Sequence, residues 1–482
     1  MRRDFVHLVL RILCLLLVCL AAPFSAAAQG SVPDKPAPRT SPKAAPTPEN
    51  FGDRSGSGAL TLFPHSNASR YWISGQANVI LQWHSSFPAK FSGPNSLRSH
   101  AENATSKLYT LYLGYELTSS TEVFLDMESA GGHGISDALG LAGFTNLDVV
   151  RNPTLSQVPY IARVMIRQII PLGSKRIEAQ RDFLHLATSL PARRIEIRFG
   201  KFSMVDFFDV NSWGQDSHLQ FLNWTVDNNG AYDYAANTRG YTDGAMVEYD
   251  DRWFSARFAE TLMPKVANGI NLDADIARAR AENLEFEARG NLFMHRAGVV
   301  RFLSYLNHAD MGNYRRSIDE FLAGQTRAPD ITAARRQGRH KYGFGLNFEQ
   351  QIDGPFGVFG RLGWDDGRNE SFAYTEVDRT LELGGFTKGD WWHRENDRAG
   401  MAYVMNALAR DHREYLALGG LGFLLGDGGL VYGHEKIVEG FYTAHLWRGF
   451  FASVDLQHVN NPGYNKARGP VVVPALRLHV DF

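Results

Sequence analysis

Two stretches of this sequence set proton-carrying side chains close together. His434-Glu435 opens like the zinc-hydrolase pattern in which two histidines one helical turn apart hold the metal and the glutamate acts as base. The position that would carry the second histidine is Val438, so the pattern fails. Asp365-Asp366 and Glu370 are the kind of carboxylates a glycosidase uses as acid and nucleophile. The same residues also read as a strand end running into a polar loop. There is no phosphate-binding glycine loop, and no Gly-x-Ser-x-Gly elbow. The 16 histidines show no metal-ligand spacing. Both cysteines, Cys14 and Cys19, lie in the first twenty residues, so the rest of the chain holds no disulfide framework, thiolate metal site or catalytic thiol. The expectation is a protein without catalytic residues, metal or cofactor.

A different pattern stands out: charges spaced by two or four residues. Arg163 and Arg167 fall on one face of a strand, as do Arg194, Glu196 and Arg198. Glu122, Asp126 and Glu128 share a face upstream, and Arg361 and Asp365 share one downstream. Basic residues opposite acidic ones create a field across a pore. Such polar ladders hydrogen-bond hydroxyl-rich solutes, with arginine supplying a fixed fork of donors. The candidate solute-binding residues are therefore Glu122, Asp126, Glu128, Arg163, Arg167, Arg194, Arg198, Arg361 and Asp365. The competing reading is that the opposed charges satisfy one another.

These charges need strands to carry them, and the chain alternates with period two. In 71–84, Tyr71, Ile73, Ala77, Val79, Leu81 and Trp83 share one face, while Ser74, Gln76, Asn78, Gln82 and His84 share the other. Residues 107–129 read as a hairpin turning at Thr118-Ser119-Ser120-Thr121, and 341–365 as another turning at Asp353-Gly354-Pro355. About sixteen such segments begin near residues 71, 107, 121, 158, 193, 241, 253, 283, 297, 341, 356, 399, 413, 437, 450 and 471. Short connections alternate with long ones, with a longer exception at 171–192; 366–398 reads as one long loop. An apolar face, a polar face and this alternation of connections predict an all-β fold: a transmembrane antiparallel barrel of about sixteen strands, with short periplasmic turns and long extracellular loops. A barrel of that size leaves a wet lumen. The long 203–240 segment carries Trp213, Trp224, Tyr232 and Tyr234, which either pack a folded loop or stack on sugar rings. That segment, or the glycine-rich loop entered at Glu128, is expected to narrow the pore.

The amino terminus fits export. Arg2 and Arg3 precede an apolar run from about Ile12 to Ala22, and Ala26-Ala27-Ala28 offers a cleavage site, so residues 1–28 read as a signal peptide. Residues 29–60 form a proline-rich spacer, expected to be disordered, and 61–482 the barrel domain. With 50 Lys+Arg against 51 Asp+Glu the chain lacks the basic excess of a nucleic-acid binder.

Three stretches carry a family resemblance. Gly200-Lys201-Phe202 is followed by Asp206-Phe207-Phe208-Asp209-Val210-Asn211. The block Glu128 to Pro153 contains GISDALGLAGFTNLDVVRNP, and Asp455-Leu456-Gln457-His458-Val459-Asn460-Asn461-Pro462-Gly463 leads into a closing strand ending at Phe482. Over roughly residues 70–482 the chain resembles the carbohydrate-selective porins of the OprB family. The resemblance implies a sixteen-stranded outer-membrane porin that passes sugars or oligosaccharides by passive, substrate-biased diffusion. The aromatic carboxy-terminus resembles the insertion signal read by the barrel-assembly machinery, and the apolar band would meet outer-membrane lipid. A homotrimer is compatible with a porin of this size. General diffusion, polysaccharide export and an outer-membrane hydrolase are the alternatives.

Overall fold

The computed structural model describes residues 60–149, 155–293 and 295–482. The expected signal peptide and nearly all of the spacer lie outside the described residues.

Sixteen antiparallel strands form a closed barrel. In chain order the strands are β1 (Tyr71–His84), β2 (Glu102–Thr118), β3 (Thr121–Gly132), β4 (Tyr160–Pro171), a small separate ribbon of β5 (Arg176–Glu178) and β6 (Ser189–Pro191), then β7 (Arg194–Phe202), β8 (Thr242–Asp250), β9 (Phe254–Leu262), β10 (Arg280–Phe293), β11 (Arg296–Met311), β12 (Arg336–Asp353), β13 (Phe356–Asp365), β14 (Arg379–Gly389), β15 (Arg394–Ala407), β16 (Glu435–Trp447), β17 (Phe450–Asn460) and β18 (Val471–Asp481). Each barrel strand pairs with its sequence neighbour, β4 with β7, and β1 closes on β18 with Gln76 opposite Asp481 and Val79 opposite Leu478. Closure removes the unpaired edge that hydrocarbon could not solvate. No helix among the described residues is long and apolar enough to cross a membrane.

The period-two pattern sorts inside from outside. On β1 the exposed Tyr71, Ile73, Leu81 and Trp83 face outward, and the buried Gln76, Asn78, Gln82 and His84 face the lumen. Exposed aromatics gather at the short-turn end: Tyr71, Trp253, Phe254, Phe293, Trp391, Trp447 and Phe450. Such a girdle suits a membrane interface, where an amphipathic ring meets both water and lipid.

One segment departs from the expectation. The 366–398 stretch is not a single loop, because it contains β14, and the strand expected from 413 is the helix Arg410–Ala417. Its buried residues, His412, Tyr415 and Leu416, recur at helical spacing. The two differences compensate, so the strand number stays sixteen. The exceptional 171–192 connection also does more than turn: it carries the β5–β6 ribbon and tucks Leu184 and Leu186 into the buried interior.

Candidate functional site

The lumen wall is a chain of paired charges. Arg167 on β4 reaches Glu122 on β3 (2.9 Å) and Glu196 on β7 (2.7 Å). Glu196 also takes Arg194 (2.6 Å) and Arg198 (2.5 Å), which continue to Asp250 (2.5 Å) and Glu248 (3.2 Å). Arg257 extends the ladder to Glu285 and Glu287, and Arg301 joins Glu287 to Glu349 (2.6 Å). Farther round, Lys341 lies 3.3 Å from both Asp365 and Asp233. Strand register places Arg167 directly opposite Arg198, two like charges that Glu196 bridges. Removing one member of such a buried network strands its partner at a cost of about 3–5 kcal/mol.

Residues 203–241 leave the wall after β7 and traverse the interior. Asn211 donates to Asn347 on β12 (2.9 Å), and the Leu222 N–H donates to Glu439 on β16 (2.5 Å). Asn223 donates to Gln457 on β17 (3.0 Å), and Arg477 on β18 donates to the Ser217 carbonyl (2.6 Å). Tyr305 on β11 donates to the Ala231 carbonyl (2.7 Å). Arg361 on β13 clamps the middle of the segment, pairing with Asp209 (3.0 Å) and donating to the Val226 carbonyl (2.8 Å) while also holding Glu382 (2.9 Å). The wall is glycine where the segment comes closest. A Cβ on Gly357 would lie 2.0 Å from the Trp213 ring, and one on Gly363 would lie 2.0 Å from the Asn229 amide oxygen.

A second inward segment braces the first. Loop 133–149 presents the Ala142 and Gly143 N–H groups to Glu435, and Phe144 meets Trp224 edge-on. The Trp224 indole donates to the Asn146 carbonyl (2.8 Å). From the short-turn end the 172–193 connection contributes Phe183, stacked on Tyr112 at 4.6 Å, and Arg163 lies over the Phe183 ring.

Between these segments a cavity of about 300 Å³ remains. Tyr112, Trp224, Tyr234 and Tyr241 supply part of its aromatic surface, and Gln76, Asn228 and Arg239 part of its polar surface. The carboxylates on its wall are Glu128, Asp148, Asp206, Asp216 and Asp227, and Arg163 and His218 stand among them. Arg163 is fixed by Asp206 (2.7 Å) and Asp126 (3.1 Å). His218 lies 3.5 Å from Asp148. Burial opposes charge on His218, but Asp148 outweighs it and raises the imidazole to about 9. In return His218 and Asn78 hold the buried Asp148 carboxylate below its ordinary range. Among the described residues no group of three or more His, Cys, Asp and Glu is arranged to hold a metal ion.

The carbohydrate-selective porin OprB family model matches residues 117–482, about three quarters of the sequence. The chain belongs to the OprB family. Among solved structures, the high-pH form of Pseudomonas putida OprB superposes with a TM-score of 0.65 at 14% identity, covering 86% of this chain and 94% of that one. The outer membrane channel DcaP of Acinetobacter baumannii gives a TM-score of 0.46 at 10% identity, covering 86% and 97%. No curated protein matches the sequence. This OprB porin is an outer-membrane channel rather than an enzyme.

All nine expected solute-binding residues of the porin sit on lumen faces and are buried. They divide by what they touch. Glu128 and Arg163 reach the cavity, and Asp126 lies behind Arg163. Glu122, Arg167, Arg194 and Arg198 are embedded in the ladder, Arg361 in the loop clamp, and Asp365 beside Lys341. The four loop aromatics are buried: Trp213 packs against the wall at Gly357, Tyr232 donates to Asn283 (2.8 Å), and Trp224 and Tyr234 also line the cavity. Sequence reasoning missed Asp148, Asp206, Asp216, Asp227 and His218. They lie in non-periodic loops, where no alternation marks an inward face. It expected one constricting loop, whereas both long segments fold inward.

Proposed function

We propose that this porin conducts small carbohydrates by passive diffusion through the central cavity. The observation that carries the reading is the composition of that cavity: aromatic faces from Tyr112 and Trp224 beside a dense set of hydrogen-bond acceptors. Apolar sugar faces stack on aromatic rings, and sugar hydroxyls donate to carboxylates and amides. At about 300 Å³ the space stands at the low end of the roughly 300–1,000 Å³ typical of small-molecule sites. This favours a monosaccharide over a long chain, and the inward segments leave polysaccharide export disfavoured. Of the nine lumen residues, Glu128 and Arg163 contact the solute; the other seven hold the wall that places them. We further assign residues 1–28 to export, 29–60 to a periplasmic spacer and 61–482 to the barrel. The apolar band would meet lipid, and the strand ending at Phe482 would be read by the assembly machinery.

Single-channel recording of the refolded protein, titrated with mono- and disaccharides, tests the reading. The expected result is a stable open channel whose current falls at millimolar concentrations of one monosaccharide. An open channel indifferent to every sugar would leave general diffusion, and no conductance would remove the diffusion reading.

A further inference from the structure

We infer that the central cavity is a site for amine-bearing sugars, in which Asp227 supplies the counter-charge to the solute ammonium group. The inference rests on the diffusion reading above and adds a substrate class to it. Most lumen carboxylates have a cationic partner within the wall. Asp227 has none bonded to its carboxylate among the described residues: Oδ2 accepts from the Asn228 side-chain amide (2.7 Å), and Oδ1 has no hydrogen-bond partner. Arg361 approaches only the backbone, donating to the Asp227 carbonyl (3.1 Å), because its guanidinium is paired with Asp209 and Glu382. Asp227 is 3% exposed and lies on the cavity wall, where a cationic solute in the cavity can supply a partner.

The acidic neighbours favour a cation there, against the opposing positive charges of Arg361 and His218. Asp148 and Asp216 are on the same wall, and both act on Asp227 to disfavour another negative charge. Burial above all pushes the Asp227 carboxyl up to about 8, so it is largely protonated while the cavity is empty. An arriving ammonium favours its ionised form, and a buried charge-assisted hydrogen bond is stronger than a neutral one. The rest of the site fits a sugar rather than a bare ion. The Oε1 of Gln76 is a second acceptor without a partner on the cavity wall, suited to a hydroxyl donor, and Trp224 and Tyr234 offer ring surface. A carboxylated or phosphorylated sugar would meet Asp148 and Asp216 with like charge and would give Asp227 no cation to ionise against.

The test compares channel block by glucosamine, N-acetylglucosamine and glucose, with methylammonium as a sugar-free cation. The N-acetyl sugar keeps the ring and loses the charge. Glucosamine is expected to half-block at about one-tenth the concentration of the other two sugars, or lower. In Asp227→Asn that preference should fall to within about twofold. Equal block by the three sugars in the native protein overturns the inference, as does a preference that survives Asp227→Asn, or methylammonium blocking as well as glucosamine. If the variant fails to insert, the native comparison of glucosamine with its N-acetyl form still decides. If the native protein opens no channel, the diffusion reading fails by itself. Calorimetric binding of the same sugars to the detergent-solubilised protein then decides the site.

Discussion

Arg361 offers the most direct test of what holds the inward segment. Its guanidinium joins Asp209 of the segment to Glu382 of the wall and also donates to the Val226 and Asp227 carbonyls. All three side chains are buried. Arg361→Met keeps most of the volume, removes the positive charge, and leaves two buried carboxylates without it. Breaking a buried ion network from one side costs about 3–5 kcal/mol. Applied to local detachment of the segment's middle, that raises the detached population roughly 140- to 4,000-fold. The outer anchors at Asn211, Leu222 and Asn223 remain, so loosening rather than full release is expected. Single-channel recording should show increased open-channel noise and frequent larger substates. Thermal unfolding in detergent, followed by the gel mobility of the folded barrel, should move to lower temperature. The triple variant Arg361→Met/Asp209→Asn/Glu382→Gln carries no stranded charge and should recover most of the lost stability, because the penalty lies in the orphaned carboxylates. A single variant as quiet and stable as the native channel, or a triple variant no better than the single one, would refute the clamp.

Three further outcomes follow from the same geometry. Arg163→Ala should shift ion selectivity towards cations in reversal-potential measurements, because Arg163 stands on the cavity wall; Arg167→Ala, enclosed by Glu122 and Glu196, should lower stability instead. His412, buried against Tyr314 and 3.1 Å from Asp378, joins two long loops; burial disfavours its charge, but Asp378 and Glu376 raise it to about 9. Its protonated form therefore contributes on the order of 3 kcal/mol below about pH 6.5, and the contribution disappears as pH rises through about 9. Limited proteolysis within 408–434 should accelerate between pH 7 and 10, and the acceleration should be absent in His412→Gln. Phe482 closes the seam, exchanging backbone hydrogen bonds with Gly75 (2.6 and 2.9 Å), so replacing Phe482 and Val480 with polar residues should leave the protein periplasmic in cell fractionation.

The barrel was legible because lipid imposes a rule on every strand. Each outward position must be apolar, so Tyr71, Ile73, Leu81 and Trp83 declare the face of β1 without any knowledge of its neighbours. The rule weakened at β14, where Gly384 and Gly385 interrupt the alternation. It misassigned the helix Arg410–Ala417, which lies outside the barrel wall and so is free of the constraint. The lumen faces of the nine charged residues were equally readable. Their roles were not, because a charge on a wet wall and a charge under a folded loop look alike in sequence. What separates them is which loop lies above, and this depends on pairings more than a hundred residues apart, such as Arg361 with Asp209.

That dependence explains how one wall can serve both stability and selectivity. A sixteen-stranded barrel alone would leave a wide aqueous pore. Here the charged wall is largely consumed in mutual pairing and in anchoring residues 203–241, and of its strand charges only Glu128 and Arg163, among the described residues, line the cavity. The charges left to face a solute come mostly from the inward segments: Asp148, Asp206, Asp216, Asp227, His218 and Arg239, with Glu128 and Arg163 from the strands. A substitution in the anchored ladder should therefore change how firmly the channel is built, and one in the loops should change what passes. The ladder demands compensating changes in several strands at once, whereas the carboxylate of an inward loop residue such as Asp227 is held by a single neighbouring amide. Selectivity can then vary on a wall that stays fixed, and the contrast between Arg167→Ala and Asp227→Asn measures that separation.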